Sequence, residues 1–357
     1  MLRELARSAN TQITIPDVRA ERCVHTIIEQ SRCRACVNAC PTGAWIIDDE
    51  MLGIDPKRCD ACDLCVAACT EAAIVQRFRP EVCNTPHGNV ALACCAHAQV
   101  EVAEVPRMPC LHAIGISDLF RLARDQVLYL VTTAGDCDRC SRGKGERLED
   151  RLRSVNALLS CRGLPPIVHR TLDATRWRDT WHQVDLLAKQ NRVSRRNFFR
   201  SAAKEPSKRV EEVIDRAEGR FIPPGSLLPS KSSQDVVPFA PHIDPAQCSG
   251  CDACARLCPH KAILVEIEGG LPNAYIFVAD QCSGCGICTD LCEQDAISIL
   301  HWQPVIRERI PLTNRSCRAC GVTYHLPQTE RSRSTAEDLC TICDKADHHK
   351  NLFQVMD

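Results

Sequence analysis

The chain has 357 residues, room for two to four domains, and its 44 Lys/Arg against 45 Asp/Glu leave a net charge of −1. That balance gives no electrostatic footprint for nucleic acid, and no stretch approaches the 18 consecutive apolar residues of a membrane-spanning helix. Cysteine is the outlier at 27 residues, an abundance usual in small disulfide-bonded secreted domains, but here its spacing points to metal. Residues 1–22 are charged and interrupted by Pro16, with no apolar core, so no export signal is expected. Thiols that await metal need a reducing compartment, which makes the cytoplasm the expected location.

The first cysteine set comprises Cys33, Cys36 and Cys40, followed by Pro41, and then Cys59, Cys62, Cys65 and Cys69. The second half reads C-x2-C-x2-C-x3-C, the run by which bacterial ferredoxins ligate [4Fe-4S] cubanes. Three cysteines at spacing two fit a loop curled over one face of a cubane. The fourth begins the next helical turn and points at the other cluster. One cubane is therefore expected on Cys59, Cys62, Cys65 and Cys40. The other has Cys33, Cys36 and Cys69, and Gln30 stands where its leading cysteine belongs. Cys23, ten positions before Cys33, is the candidate to loop back as fourth ligand. A three-iron cluster, an exchangeable iron site or a merely buried Cys23 stay open as alternatives.

The middle of the chain (81–180) is patterned differently. Val90–Ala93, Val127–Thr132 and Ile167–Thr171 read as strands, separated by helical patterns over Ile116–Arg124 and Glu146–Leu159. That alternation predicts a small α/β domain with a parallel sheet. Its cysteines fall where strands end, the side on which α/β units bind ligands. Cys95, Pro109-Cys110 with Gly115, Gly135-Asp136-Cys137 and the helix running into Gly163-Leu164-Pro165-Pro166 together resemble the delta subunit of methyl-viologen-reducing hydrogenases. The resemblance covers about 85 residues. It implies a [2Fe-2S] cluster, with Cys95, Cys110, Cys137 and Cys140 as candidate ligands, and a relay between a flavin-containing partner and another redox subunit. Two departures are the adjacent Cys94-Cys95 and Cys140 in place of a His-rich stretch. A thiol–disulfide pair is the competing reading of Cys137 and Cys140. Cys83 and Cys161 fit no pattern and are expected to be buried small apolar residues. Gly143-x-Gly145 lacks the later glycine of a dinucleotide fingerprint, so no bound flavin or nicotinamide is expected.

Residues 181–240 read as a basic helical linker, with nine Lys/Arg against five Asp/Glu between Asn191 and Arg220. Ser194-Arg195-Arg196 mimics a twin-arginine export signal, but no apolar segment follows it. A short Ser-Arg-Arg segment ahead of a ferredoxin module resembles the NapF-type ferredoxins that accompany periplasmic nitrate reductase maturation, over residues 194–300.

The intact pattern follows at 241–302: Cys248, Cys251, Cys254 and Cys258 with Pro259, then Cys282, Cys285, Cys288 and Cys292. The same crossing predicts one cubane on Cys248, Cys251, Cys254 and Cys292 and another on Cys282, Cys285, Cys288 and Cys258. The step from the fourth to the fifth cysteine is 24 residues here and 19 near the N-terminus, so a longer hairpin is expected around Glu268–Asn273. In the tail (303–357), Cys317-x2-Cys320-Gly321 and Cys340-x2-Cys343 read as a four-thiolate structural zinc site, with rubredoxin-like iron as the rival. His348 and His349 are not needed as ligands.

The expected architecture is α+β: two ferredoxin-like dicluster modules (1–80 and 241–302) flanking a small α/β domain, with a zinc-ribbon-like tail. The expected cofactors are four [4Fe-4S] clusters, a [2Fe-2S] cluster and zinc. No residue constellation points to acid, base or nucleophilic catalysis. The expected role is a polyferredoxin subunit or adaptor that relays single electrons to redox partner proteins, flavin- or molybdenum-containing oxidoreductase subunits. The alternative is an assembly or maturation factor for a metalloenzyme.

Overall fold

The computed structural model describes residues 15–47, 52–75, 78–98, 100, 107–142, 146–199, 221–228, 235–304, 309–329 and 339–346. The fold is mixed α and β. Residues 33–229, with the segment before Gln30, make one compact unit; residues 230–357 make a second. Among the sequence expectations, the Gly143–Gly145 segment, His348 and His349 lie outside the described residues, as do most of Asn191–Arg220 and the side chains of Ser194, Arg195 and Arg196.

The first unit opens with an isolated antiparallel bridge, Val18 to Ile74. A single 3-10 turn (Ala20–Arg22) then leads through Cys23 into helix α1 (Val24–Ile27). Helix α2 (Ala35–Ala39), a two-strand antiparallel hairpin (β1, Trp45–Ile47; β2, Leu52–Ile54) and helix α3 (Leu64–Ala68) complete this region. These helices are one turn or little more, too short to stand alone. Their apolar partners are few: Trp45, Cys65 and Ile74 form the buried cluster, with the half-buried Cys36, Cys40 and Cys69 against it. So small a core depends on added cross-links.

The rest of the unit is a sheet with strands β3 (Glu81–Thr85), β4 (Gly88–Cys95), β6 (Val127–Thr133) and β7 (Val168–Thr171) side by side, and β5 (Arg107–Met108) also on β4. β4, β6 and β7 are parallel, as the sequence predicts; β5, also parallel to β4, and β3, which joins β4 as an antiparallel hairpin, are not announced by the pattern. Helix α4 (Ile116–Arg124) crosses from β5 to β6 and α5 (Leu148–Cys161) from β6 to β7. Leu92, Leu130, Leu119, Phe120 and Leu159 are fully buried between them. The long helix α6 (Ala174–Phe199) closes the sheet through Trp177, whose indole N–H donates to the Val131 carbonyl at 3.2 Å. Cys83 is buried, but Cys161 is exposed. It is the last residue of α5, where the helix has turned away from the sheet, so the expectation of a buried residue there is corrected.

In the second unit β8 (Val237–Ile243) pairs with β11 (Ile297–Gln303), and β9 (Ile263–Glu268) with β10 (Leu271–Phe277) across a Gly269-Gly270 turn. This hairpin has longer strands than β1–β2 and accounts for the wider cysteine step. Helices α7 (Ala253–Arg256) and α8 (Ile287–Leu291) each follow a cysteine loop. β12 (Arg309–Ser316) adds to β10, and β13 (Thr323–Pro327) to β12, so the tail hairpin extends the sheet to the order β13-β12-β10-β9. Ile243, Ile263, Tyr275, Phe277, Ile297, Ile310 and Leu312 form the shared core. Helix α9 (Thr341–Ala346) begins just after Cys340.

Candidate iron-sulfur and metal centres

The two cysteine modules repeat one backbone plan. Each fourth cysteine is followed, four residues on, by a buried alanine whose N–H donates to its sulfur. Ala44 reaches Cys40 at 3.3 Å, Ala262 reaches Cys258 at 3.2 Å and Ala296 reaches Cys292 at 3.2 Å. Ala73 does the same for Cys69. The residue before each alanine has a positive φ: Gly43 (59°), Ala72 (48°), Lys261 (57°) and Asp295 (48°). Such N–H···S bonds favour the thiolate and tune a cluster's potential. At Cys40 burial raises the thiol pKa, but the Thr42 hydroxyl and the backbone donors outweigh it and leave it lowered.

The leading loops share a second signature. Two residues after the first cysteine, and again at four, φ is positive: Ala61 and Asp63, Gly250 and Asp252, Gly284 and Gly286. Gly250 is obligatory, because a Cβ there would lie 2.0 Å from the His325 carbonyl oxygen. The loop after Gln30 lacks the signature, and Arg34 has φ −129°.

The backbone register places Cys23 where that loop has no cysteine. Val18 pairs with Ile74, and Arg19 N–H donates to the Ala73 carbonyl at 2.7 Å. In the other module Ile243 pairs with Ile297, and Asp244 N–H donates to Ala296 at 2.8 Å. Counting five residues on from the paired residue reaches Cys248 in one module and Cys23 in the other. Cys23 thus stands at the leading-cysteine position, and the segment carrying α1 is an insertion before Cys33. Cys33, Cys69 and Cys23 all act on Cys36, whose thiol is pushed up to about 12, chiefly by burial and then by these neighbours.

Two further sets each border one cavity. Cys248, Cys251, Cys254 and Cys292 line one cavity, and Cys258, Cys282, Cys285 and Cys288 line another. Cys288 borders both, so the two lie close together. Burial, then Cys248, Cys251 and Cys292, pushes Cys254 up to about 12. In the N-terminal module Cys40 neighbours Cys59, and Cys62 neighbours Cys65. Burial disfavours the thiolate form, and a bound cation would supply the charge that compensates it. The Ser283 hydroxyl, 1% exposed, lines the Cys282 cavity without a hydrogen-bond partner among the described residues, a donor placed for a cluster sulfide. Donor chemistry and cavity both fit an iron-sulfur group.

The sheet brings the four middle-domain cysteines to one place. Cys95 ends β4, Cys110 follows β5, and Cys137 and Cys140 follow β6; all four line one cavity with His97, His112 and Arg142. Cys94 is fully buried in β4 and does not line that cavity. His112 is informative. Its Nδ1 accepts the Leu148 N–H at 3.1 Å, so the ring hydrogen sits on Nε2, which is buried and without a partner among the described residues. Burial also holds this imidazole below its ordinary pKa range, so it stays neutral. A buried, unbonded N–H on a residue that lines the four-cysteine cavity fits a group with sulfide acceptors.

Cys317, Cys320, Cys340 and Cys343 bring their sulfurs within 4.8 Å of one another, the one such group among the described residues. Cys320 and Cys340 Sγ are 3.8 Å apart; a tetrahedral ion with bonds of about 2.3 Å needs an edge of about 3.8 Å. Gly321 turns the first knuckle at φ 73°, and Cys340 N–H donates to Cys317 Sγ at 3.3 Å, which lowers that thiol's pKa. Four residues missed by sequence reasoning meet where this hairpin packs on the Cys248–Cys254 loop. Asp252 accepts from the Tyr275 hydroxyl at 2.8 Å and lies 2.8 Å from His325 Nε2, and Arg256 stands 3.4 Å away.

No helix among the described residues is long and apolar enough to cross a membrane. None of the curated proteins compared with the chain matches it. Residues 241–264, which contain Cys248, Cys251, Cys254 and Cys258, match the family described as the 4Fe-4S binding domain. With the cysteine sets around it, that match supports [4Fe-4S] binding by this segment.

Proposed function

We propose that the chain is a polyferredoxin-type electron carrier, a subunit or adaptor of an oxidoreductase complex. Its four crossed cysteine sets would each hold a [4Fe-4S] cluster, Cys95, Cys110, Cys137 and Cys140 a [2Fe-2S] cluster, and Cys317, Cys320, Cys340 and Cys343 a structural zinc ion. The observation that carries this reading is the repetition of the plan. All four fourth-position cysteines accept the same N–H from the fourth residue on, and Cys23 occupies the leading position that Gln30 vacates.

When bound, such clusters take up and release single electrons without moving heavy atoms. The chain's own residues do the rest. Thiolates would fix the position of each centre, and the backbone N–H groups, including those of the four alanines, with the Ser283 and His112 donors would set how readily each accepts charge. Flavin- or molybdenum-containing subunits are the partners that the hydrogenase-delta and NapF resemblances imply.

The test is iron, acid-labile sulfide and zinc per chain on anaerobically purified protein, followed by steady-state turnover between a flavoprotein donor and an acceptor dye. About 18 irons with matching sulfide and one zinc, and a flux that rises with carrier concentration, is the expected result. Full clusters with no flux, but stoichiometric binding to an apo-metalloenzyme, favours a maturation role instead.

A further inference from the structure

The N-terminal cysteine module and the middle domain belong to one compact unit and meet at their candidate centres. Cys62, Leu64 and Cys110 pack into one buried cluster. Around it the contact is tight: a Cβ on Gly115 would lie 3.3 Å from the Ala67 Cα. Beside it sits Arg142, two residues after Cys140, with its side chain 15% exposed. Its Nε donates to Asp60 Oδ2 at 2.7 Å and Nη2 to the Asp60 carbonyl at 3.2 Å. Its Nη1 reaches the Pro109 carbonyl at 3.2 Å and His97 Nε2 at 3.1 Å. Asp60 in turn accepts the Cys62 N–H at 3.2 Å. One guanidinium therefore ties the loop that presents Cys62 to the residue before Cys110, and only a planar fork can span both. Its charge also acts on both thiols, Cys62 and Cys110.

We propose that Arg142 is a positioning residue that locks the Cys40, Cys59, Cys62 and Cys65 site against the middle-domain four-cysteine site, making them an electronically coupled pair joined through Cys62, Leu64 and Cys110. The inference rests on the cluster assignments proposed above. The exchange moves one electron and no atoms: the site that gives it is oxidised by one unit as its neighbour is reduced by one. The electron comes from an external low-potential one-electron donor, dithionite in the test.

The experiment compares wild type, Arg142→Lys and Arg142→Ala by iron and sulfide content, then by EPR of the dithionite-reduced protein and a redox titration of each centre. Loss of two irons in Cys137→Ala/Cys140→Ala shows that the middle site is filled; no loss defeats the underlying reading, not the coupling. With both sites filled, wild type is expected to show spectral splitting or enhanced relaxation between the two centres. Lys keeps the charge but cannot fork, so Arg142→Lys retains its iron with a weakened interaction, and Arg142→Ala loses more of it and shifts both potentials. Two filled but magnetically isolated centres in wild type, or an unchanged interaction and unchanged potentials in both variants, overturns the proposal.

Discussion

Replacing Cys23 by serine tests the register argument most directly. Cys23 is 9% exposed, and its backbone bonds, the N–H to the Ala20 carbonyl at 2.9 Å and its carbonyl to the Thr26 hydroxyl at 2.7 Å, do not involve the sulfur. Serine preserves them and the side-chain volume. Its folding cost is that of one buried hydroxyl without a partner, about 1–3 kcal/mol, below the 5–15 kcal/mol of a typical domain. The fold survives, so a change in metal content reads ligation. As fourth ligand of a cubane, Cys23 controls up to four irons: a fully loaded protein falls from about 18 irons per chain toward about 14, or by about one where a three-iron cluster persists on Cys33, Cys36 and Cys69. Iron and sulfide assays with EPR of the oxidised protein read both outcomes, the second by a new three-iron signal. Cys83→Ser and Cys161→Ser are the controls and keep full iron. Unchanged iron and spectra in Cys23→Ser would refute Cys23 as fourth ligand and the functional meaning of the alignment of Val18 with Ile243.

Three further outcomes are expected. Removing zinc with a chelator, or replacing Cys340 by serine, forfeits folding free energy on the order of 10 kcal/mol, so amide exchange rises across β12, β13 and α9 while the Cys248–Cys292 clusters keep their iron. His112→Phe keeps the packing but removes the Nε2 donor; middle-domain iron is retained or bound roughly 10-fold more weakly, and that centre's potential falls, as an EPR-monitored titration would register. Asp252 gives a pH dependence of known sign. Burial alone would raise its pKa, but the bonds from His325 and Tyr275 outweigh it and leave it lowered. A depressed carboxyl contributes stability that is fully present above the ordinary carboxylate range and is lost as pH falls through the lower folded value. Denaturation midpoints of loaded wild type should therefore drop toward acid more steeply than those of Asp252→Asn; parallel curves would contradict the assignment.

The parts of this molecule readable from its sequence are those set by neighbours along the chain. Cysteine spacing dictates how a loop can curl, and the cysteines between Cys248 and Cys292 line two neighbouring cavities. The helix predicted over Ile116–Arg124 forms over those same residues, and Val127–Thr133 forms a parallel strand, because periodicity and flanking breakers agree there. The alanine four residues after each fourth cysteine was equally open to view, but its meaning lies in a backbone N–H, which alanine does not advertise. What could not be read depends on pairing across distance. Nothing local to Val18 marks it as the partner of Ile74, so Gln30 held the leading position in a linear alignment and Cys23 was one candidate explanation among several. β3 and β5 are short strands held only by β4, with too few residues to show a period. Arg142 and Asp60 lie 82 positions apart; each looks like an ordinary surface charge until the sheet brings them together. The cysteine sets are thus legible in spacing, whereas the contacts that join one cysteine loop to another, such as Arg142 with Asp60, are long-range and leave no local mark.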